Sequence, residues 1–140
     1  MMNVFYADDD AEDREMFCEA MQQINPAIVV TLSKDGQEAL EILGAQEQPQ
    51  NFIFLDINMP RMNGIECLVK LKSDDRLKDI PVIICSTTSD SKEVKKFIML
   101  GAEAFVPKAG SFEALKESLH KVLAKGALYF NSQCKSLISV

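Results

Sequence analysis

Five short apolar segments alternate with segments of helical periodicity along the chain. The apolar segments are Met2 to Ala7, Ile28 to Leu32, Phe52 to Leu55, Pro81 to Cys85 and Ala104 to Val106. The third and fourth lack polar alternation, which is typical of parallel strands covered on both faces. Five βα units in this order predict an α/β fold, a doubly wound parallel sheet with right-handed crossovers and helices on both faces.

The segments between these strands carry apolar stripes at helical spacing. Pro26, Gly44 and Gly101 are predicted to end the first, second and fourth helices, and Ser111 to cap the fifth. The end of the chain, residues 126–140, lacks clear periodicity. We expect one domain over residues 1–125, followed by a tail that is frayed or packs on the last helix or on another subunit.

The composition narrows the class of protein. A chain of 140 residues has the length of a single domain. Its formal net charge of −6 disfavours general binding to nucleic acid and to anionic membranes. It has neither an apolar run of about 18 residues nor a secretory signal, so we expect a soluble, cytoplasmic domain. The four cysteines (Cys18, Cys67, Cys85 and Cys134) show no C-x-x-C spacing and are expected to be reduced thiols.

Polar residues with complementary chemistry follow the predicted strands. Asp8 to Asp10 follow the first strand, Asp56 the third, Ser86 to Thr88 the fourth, and Lys108 the fifth. Ligands of open α/β sheets bind at the carboxyl ends of the strands. If strands one and three are neighbours, up to four carboxylates converge there.

Such an acidic cluster needs a counter-charge, because neighbouring carboxylates raise one another's pKa values. Oxygen-only ligands suit a hard cation, and Mg²⁺ fits best. The one histidine, His120, is expected on the surface of the last helix, which argues against a zinc or iron centre. Helix capping explains one of the three consecutive acids, and Asp10 is the expected N-cap.

The segment from Asp56 to Gly64, DINMPRMNG, matches the D-x-x-M-P-x-M-x-G loop of the receiver domain of bacterial response regulators. The resemblance includes the acids after strand one, the hydroxyl residue after strand four and the lysine after strand five, and it covers Asn3 to Lys125. It implies a flavodoxin-like (βα)5 fold with strand order 2-1-3-4-5.

The resemblance also implies roles for the acidic residues. Asp56 corresponds to the phosphoacceptor, which takes a phosphoryl group from a histidine kinase or a histidine phosphotransfer protein. Asp9 and Asp56 resemble direct Mg²⁺ ligands, and Asp8 a ligand acting through water. Asn58 corresponds to the residue that offers its backbone carbonyl to the cation.

Three further positions correspond to the family's signalling machinery. Ser86 resembles the residue that hydrogen-bonds the phosphoryl group, Lys108 the lysine that pairs with it, and Phe105 the aromatic switch. We expect no output domain to follow, and the signal to pass to an effector protein docked on helix 4, strand 5 and helix 5. Homodimerisation stays open.

Two departures from the family pattern generate hypotheses. Receiver domains usually have Lys-Pro after strand five, joined by a cis bond, whereas this chain has Lys108-Ala109, for which we expect a trans bond. Thr87 stands where the family often has Ala or Gly. We expect its bulk to hinder the attacking water and to prolong the phosphorylated state.

Three rival interpretations remain at this point. A haloacid-dehalogenase-type phosphatase also uses an aspartate at a strand end, but it needs a second Asp two residues later, where this chain has Asn58. A flavodoxin-like electron carrier binds phosphate through Ser, Thr and Gly in its first loop, where this chain has acids. The third rival is a receiver-like scaffold that is never phosphorylated. The leading interpretation is a receiver that is not an enzyme beyond its own phosphorylation and dephosphorylation.

Overall fold

Strands and helices alternate strictly in the computed structural model, which describes residues 2–87, 90–108 and 110–130, the last five by their backbone alone. The strands are β1 (Asn3–Ala7), β2 (Val29–Ser33), β3 (Phe52–Asp56), β4 (Val82–Ser86) and β5 (Ala104–Pro107). The helices are α1 (Ala11–Ile24), α2 (Gly36–Ala45), α3 (Gly64–Lys72), α4 (Ser91–Met99) and α5 (Phe112–Phe130). The predicted (βα)5 order is confirmed, with strand boundaries within one residue of those expected.

All neighbouring strands are parallel, in the order β2-β1-β3-β4-β5. This is the predicted order 2-1-3-4-5. Every residue of β3 and β4 is buried, which explains why their sequences show no polar alternation. Because β1 lies beside β3, the acids that follow or end these two strands meet at one edge of the sheet.

Two apolar clusters cover the two faces of the sheet. On one face, α1 contributes Phe17 and Met21, and α5 contributes Leu119 and Val122. The other cluster contains Leu43 of α2 together with buried residues of α3 and α4. Each large side chain buried in this way contributes roughly 1.5–3 kcal/mol relative to exposure. A core of this kind holds the site's backbone without a disulfide.

Three of the four predicted helix boundaries are confirmed. Asn25, which precedes Pro26, is extended and closes α1, as expected of a residue before proline. Gly101 follows α4 with a φ of 111°. The Ser111 side chain accepts a hydrogen bond from the backbone N–H of Ala114 at 3.2 Å, which caps α5.

One expectation about the helices is wrong. Gly44 does not end α2, which continues to Ala45, because a glycine inside a helix costs only about 1 kcal/mol relative to alanine. Helix α5 continues through residues 126–130, the first five of the expected tail. Residues 131–140, including Cys134, lie outside the described residues. The domain boundary at residue 125 therefore stays a prediction.

The described cysteines are free thiols, as expected: Cys18 is half-buried, and Cys67 and Cys85 are buried. Burial, with a smaller contribution from the Asp35 carboxylate, raises the pKa of the Cys67 thiol to about 12, which keeps it protonated. His120 is exposed on α5, as predicted. Within residues 2–87, 90–108 and 110–130, none of the helices combines the length and apolar character needed to span a bilayer.

Candidate functional site

Three carboxylates converge at the carboxyl ends of β1 and β3. One oxygen from each of Asp8, Asp9 and Asp56 lies within 4.8 Å of the other two. Asp8 is fully buried and Asp56 nearly so, whereas Asp9 is exposed. The fourth expected acid, Asp10, instead caps α1 and accepts hydrogen bonds from the backbone N–H groups of Glu12 and Asp13. The sequence therefore located the cluster, and its Asp10 prediction is confirmed.

The buried Asp8 is held by hydrogen bonds from its neighbours. The Tyr6 hydroxyl donates to Asp8 Oδ2, and the Asp10 backbone N–H donates to Oδ1 at 2.9 Å. Arg14 Nη1 donates to the Asp8 carbonyl oxygen at 2.8 Å. The Tyr6 ring stacks on Phe17 with ring centroids 4.2 Å apart. A buried carboxylate needs partners of this kind, and they orient the Asp8 side chain within the site.

The Lys108 ammonium lies among three carboxylates. Its Nζ atom is 2.8 Å from Asp8 Oδ2, 2.9 Å from Asp13 Oδ2 and 3.2 Å from Asp56 Oδ1. Burial opposes the charge, but hydrogen bonds to Asp8 and Asp13 and the nearby Asp56 charge outweigh it and raise the Lys108 pKa. The lysine is therefore a fixed positive charge at neutral pH. Its backbone N–H donates to the Ser86 carbonyl at 2.8 Å, which ties β5 to the end of β4.

One lysine does not neutralise this cluster. Burial, followed by the negative charge of Asp8, raises the pKa of Asp56 from 3.8 to about 6, although Lys108 acts in the opposite direction. A carboxylate whose charged form is disfavoured in this way attracts a further cation. The raised pKa of Asp56 therefore indicates that the negative charge of the site exceeds the positive charge that Lys108 supplies.

The loop between β3 and α3 is closely packed against the site. A Cβ atom on Gly64 would lie 2.1 Å from the Asp56 carbonyl oxygen, so this turn requires glycine. Arg61 has a φ of 62°, and its guanidinium forms two hydrogen bonds to Asp35, at 3.1 and 3.2 Å. Asn58 is exposed within this loop, two residues after Asp56. The motif thus serves loop geometry as well as chemistry.

The remaining predicted residues lie on β4, β5 and the segments that follow them. Ser86 is buried at the end of β4, and Thr87 is exposed directly after it. Phe105 is 2% exposed and packs into the cluster that contains α2, α3 and α4. Thr88 and the Lys108–Ala109 bond lie outside the described residues, so the trans bond stays a prediction.

Sequence reasoning missed three residues that contact this site: Tyr6, Asp13 and Arg14. Residues two positions apart in a strand point to the same face of the sheet, so the sequence could have indicated that Tyr6 lies beside Asp8. Asp13 and Arg14 occupy the start of a helix that begins directly beyond the acids. Their charged side chains in the first turn of α1 were the sequence feature that could have indicated contacts between α1 and the site.

Comparison with known proteins agrees with this geometry. The family model of the response regulator receiver domain matches residues 4–120. The chain belongs to this family. Chemotaxis protein CheY1 of Helicobacter pylori is 31% identical over 122 residues, which cover 87% of this chain and 97% of that protein. Two-component response regulator ORR5 of rice, Oryza sativa, is 36% identical over 106 residues, 76% of this chain and 77% of that one.

Solved structures of response regulators have the same fold as this chain. The phosphorylated cyanobacterial phytochrome response regulator RcpA superposes with a TM-score of 0.80 at 26% identity, covering 94% of this chain and 96% of that chain. The chemotaxis response regulator CheY4 of Vibrio cholerae superposes with a TM-score of 0.75 at 26% identity, covering 86% and 98%. The receiver domain has the flavodoxin-like fold that the resemblance implied.

Membership of this family assigns the general function. The chain is a receiver domain of two-component signalling, a class of regulators that interact with kinases and effectors and are not classical enzymes. The phosphatase and scaffold alternatives are not favoured. Asp8, Asp9 and Asp56 form the acidic pocket of this receiver domain.

Proposed function

We propose that Asp56 accepts a phosphoryl group from the phosphohistidine of a histidine kinase or a histidine phosphotransfer protein. The observation that supports this most is the position of the Asp56 carboxylate, which ends a buried strand with Asp8 on one side and the Lys108 ammonium 3.2 Å away. A carboxylate can act as a nucleophile towards phosphorus when positive charge offsets its own.

The donor set fits a divalent cation of the Mg²⁺ type. The side-chain ligands that converge are all carboxylate oxygens, and the raised pKa of Asp56 reflects burial and excess negative charge. Asp9 and Asp56 would hold the cation directly, Asp8 through water, and Asn58 through its backbone carbonyl. When bound, Mg²⁺ supplies Lewis-acid neutralisation of the phosphoryl oxygens.

The chain's own residues then carry the transfer. An Asp56 oxygen attacks phosphorus and forms a P–O bond, while the P–N bond breaks and its electron pair stays on the donor imidazole. Lys108 stabilises the negative charge that develops on the phosphoryl oxygens. Ser86, which is buried at the end of β4, would turn its hydroxyl towards the product acyl phosphate.

The proposed output surface consists of α4, β5 and α5. Phe105 is turned into the core, and the end of α4 presents Met99 with 86% exposure. Phosphorylation replaces the single charge of the Asp56 carboxylate with a phosphoryl group that carries roughly 1.5–2 negative charges, close to β4 and β5. A shift of Ser86 towards this charge would change the space beside Phe105 and thereby the surface that an effector contacts.

Acetyl phosphate tests this proposal without knowledge of the kinase. With Mg²⁺, the intact protein is expected to gain the mass of one phosphoryl group, removable by hydroxylamine, because an acyl phosphate is sensitive to that nucleophile. Asp56→Asn should abolish the gain. The matched control is Asp75→Asn, because the Asp75 side chain is 96% exposed and the substitution removes the same charge.

Two results would contradict the proposal. An unchanged mass gain in Asp56→Asn would move the phosphoacceptor elsewhere. Sustained turnover of small phosphate esters, dependent on Asp56, would favour the phosphatase.

A further inference from the structure

The ammonium of Lys108 has a partner outside the acidic cluster. Asp13 Oδ2 is 2.9 Å from Lys108 Nζ, although Asp13 is not among the three acids whose oxygens converge. An ammonium has three hydrogens, and the structure provides three carboxylates for them. Asp8 and Asp56 supply two from the strand ends, and Asp13 supplies the third from a helix.

The first turn of α1 fixes the position of Asp13. Its backbone N–H donates to the capping Asp10 at 3.1 Å, and the next residue, Arg14, donates to the Asp8 carbonyl oxygen at 2.8 Å. The side chain of Asp13 is 37% exposed and that of Lys108 is 19% exposed. Asp13 therefore holds the lysine from the solvent side of the site, while the buried acids hold it from within.

We propose that Asp13 is a positioning residue, which draws the Lys108 charge towards α1 and biases the site towards cations and against the phosphoryl group. This inference rests on the proposed function of Asp56. Binding of Mg²⁺ adds positive charge, whereas approach of a phosphodonor and phosphorylation add negative charge. The Asp13 carboxylate favours the first process and opposes the second, both directly and by competing for Lys108.

The expected effects on Mg²⁺ binding and on reaction with the phosphodonor have opposite signs, which distinguishes a positioning role of Asp13 from a purely structural one. A helix end that merely lost packing would bind cation and phosphodonor less well. Removal of the Asp13 charge should weaken Mg²⁺ binding and improve the reaction with an anionic donor. A partly exposed ion pair is worth about 0.2–1 kcal/mol, which corresponds to changes of roughly 1.5- to fivefold.

Asp13→Asn is the informative variant because the asparagine keeps a side-chain oxygen for the ammonium while removing the charge. Calorimetric titration with Mg²⁺ alone should show a Kd increased by roughly 1.5- to fivefold. The acetyl phosphate concentration giving half the maximal phosphorylation rate, at saturating Mg²⁺, should fall by a similar factor. Asp13→Glu retains the charge and should stay close to the wild type in both measurements.

Glu12→Gln is the matched control. It removes the same charge from the adjacent residue of the same turn, and the Glu12 side chain is exposed. Both of its constants should equal those of the wild type. If Glu12→Gln shifts them as much as Asp13→Asn does, the effect belongs to the overall charge of α1, and the role of Asp13 is refuted.

The remaining outcomes separate the two proposals. A wild-type protein that neither binds Mg²⁺ nor becomes phosphorylated refutes the proposed function. A functional wild type with an Asp13→Asn variant that is unchanged, or weaker in both measurements, refutes the role of Asp13 alone.

Discussion

Replacement of the buried Asp56 by asparagine is expected to stabilise the metal-free protein at neutral pH. Burial and the charge of Asp8 raise the Asp56 pKa from 3.8 to about 6. At 1.36 kcal/mol per pKa unit, ionisation of this group costs the folded state about 3 kcal/mol. Its side chain is 8% exposed, so solvent screens this cost little. Asparagine resembles the protonated acid and avoids the cost.

The pH dependence follows from the sign of the shift. The folded protein binds the Asp56 proton more tightly than the unfolded chain, so this group stabilises the fold below about pH 4. That stability is lost as the pH rises through about 6. The advantage of Asp56→Asn should therefore be about 3 kcal/mol at pH 7.5, about half of that at pH 5, and absent below pH 4.

Urea unfolding followed by circular dichroism, with a chelator present, measures these differences. Asp75→Asn, which removes an exposed charge, should change the free energy of unfolding by less than about 0.5 kcal/mol. Added Mg²⁺ should stabilise the wild type and reduce the advantage of the variant. A variant less stable than the wild type at pH 7.5 without metal would show that the Lys108 ion pair outweighs burial, which would refute the reasoning.

Four further substitutions test other features of the fold and the site. Gly64→Ala should destabilise the protein by at least about 2 kcal/mol in urea unfolding, because the added Cβ would lie 2.1 Å from the Asp56 carbonyl oxygen. Gly44→Ala is the control: the added Cβ has open space, and the substitution should stabilise the protein by about 0.5–1 kcal/mol. Tyr6→Phe removes a donor from the buried Asp8 and should cost about 1–3 kcal/mol in the same assay; no loss would mean that the bond is dispensable. Thr87→Ala should speed hydrolysis of the acyl phosphate, and an unchanged rate would contradict steric shielding.

The fold and most of the site were predictable because parallel topology constrains both. Parallel strands place their carboxyl ends at one edge of the sheet. Asp8 and Asp56 meet there because β1 and β3 are neighbours, and Lys108 follows β5 at the same edge. Helix ends were less predictable. Gly44 carries a stop signal, but it lies within α2, because a glycine in a helix interior costs only about 1 kcal/mol relative to alanine.

The contact between Asp13 and Lys108 joins residues 95 positions apart in the sequence. Its formation depends on how α1 leaves the first strand and on the rotation of its first turn, which hydrophobic periodicity does not specify. The same is true of the Tyr6 hydroxyl, whose bond to Asp8 depends on ring orientation against Phe17. Such details require atomic positions.

The unequal attachment of Asp8 and Asp9 has a consequence for ion choice. Asp8 is immobilised through its backbone as well as its side chain, since its N–H also donates to the Ser33 carbonyl at 3.1 Å. Asp9 faces solvent. If the proposed cation binds here, Asp8 would be a rigid ligand and Asp9 an adjustable one. We therefore expect rotation of the Asp9 side chain to allow divalent ions of different radius to bind without disturbing the sheet.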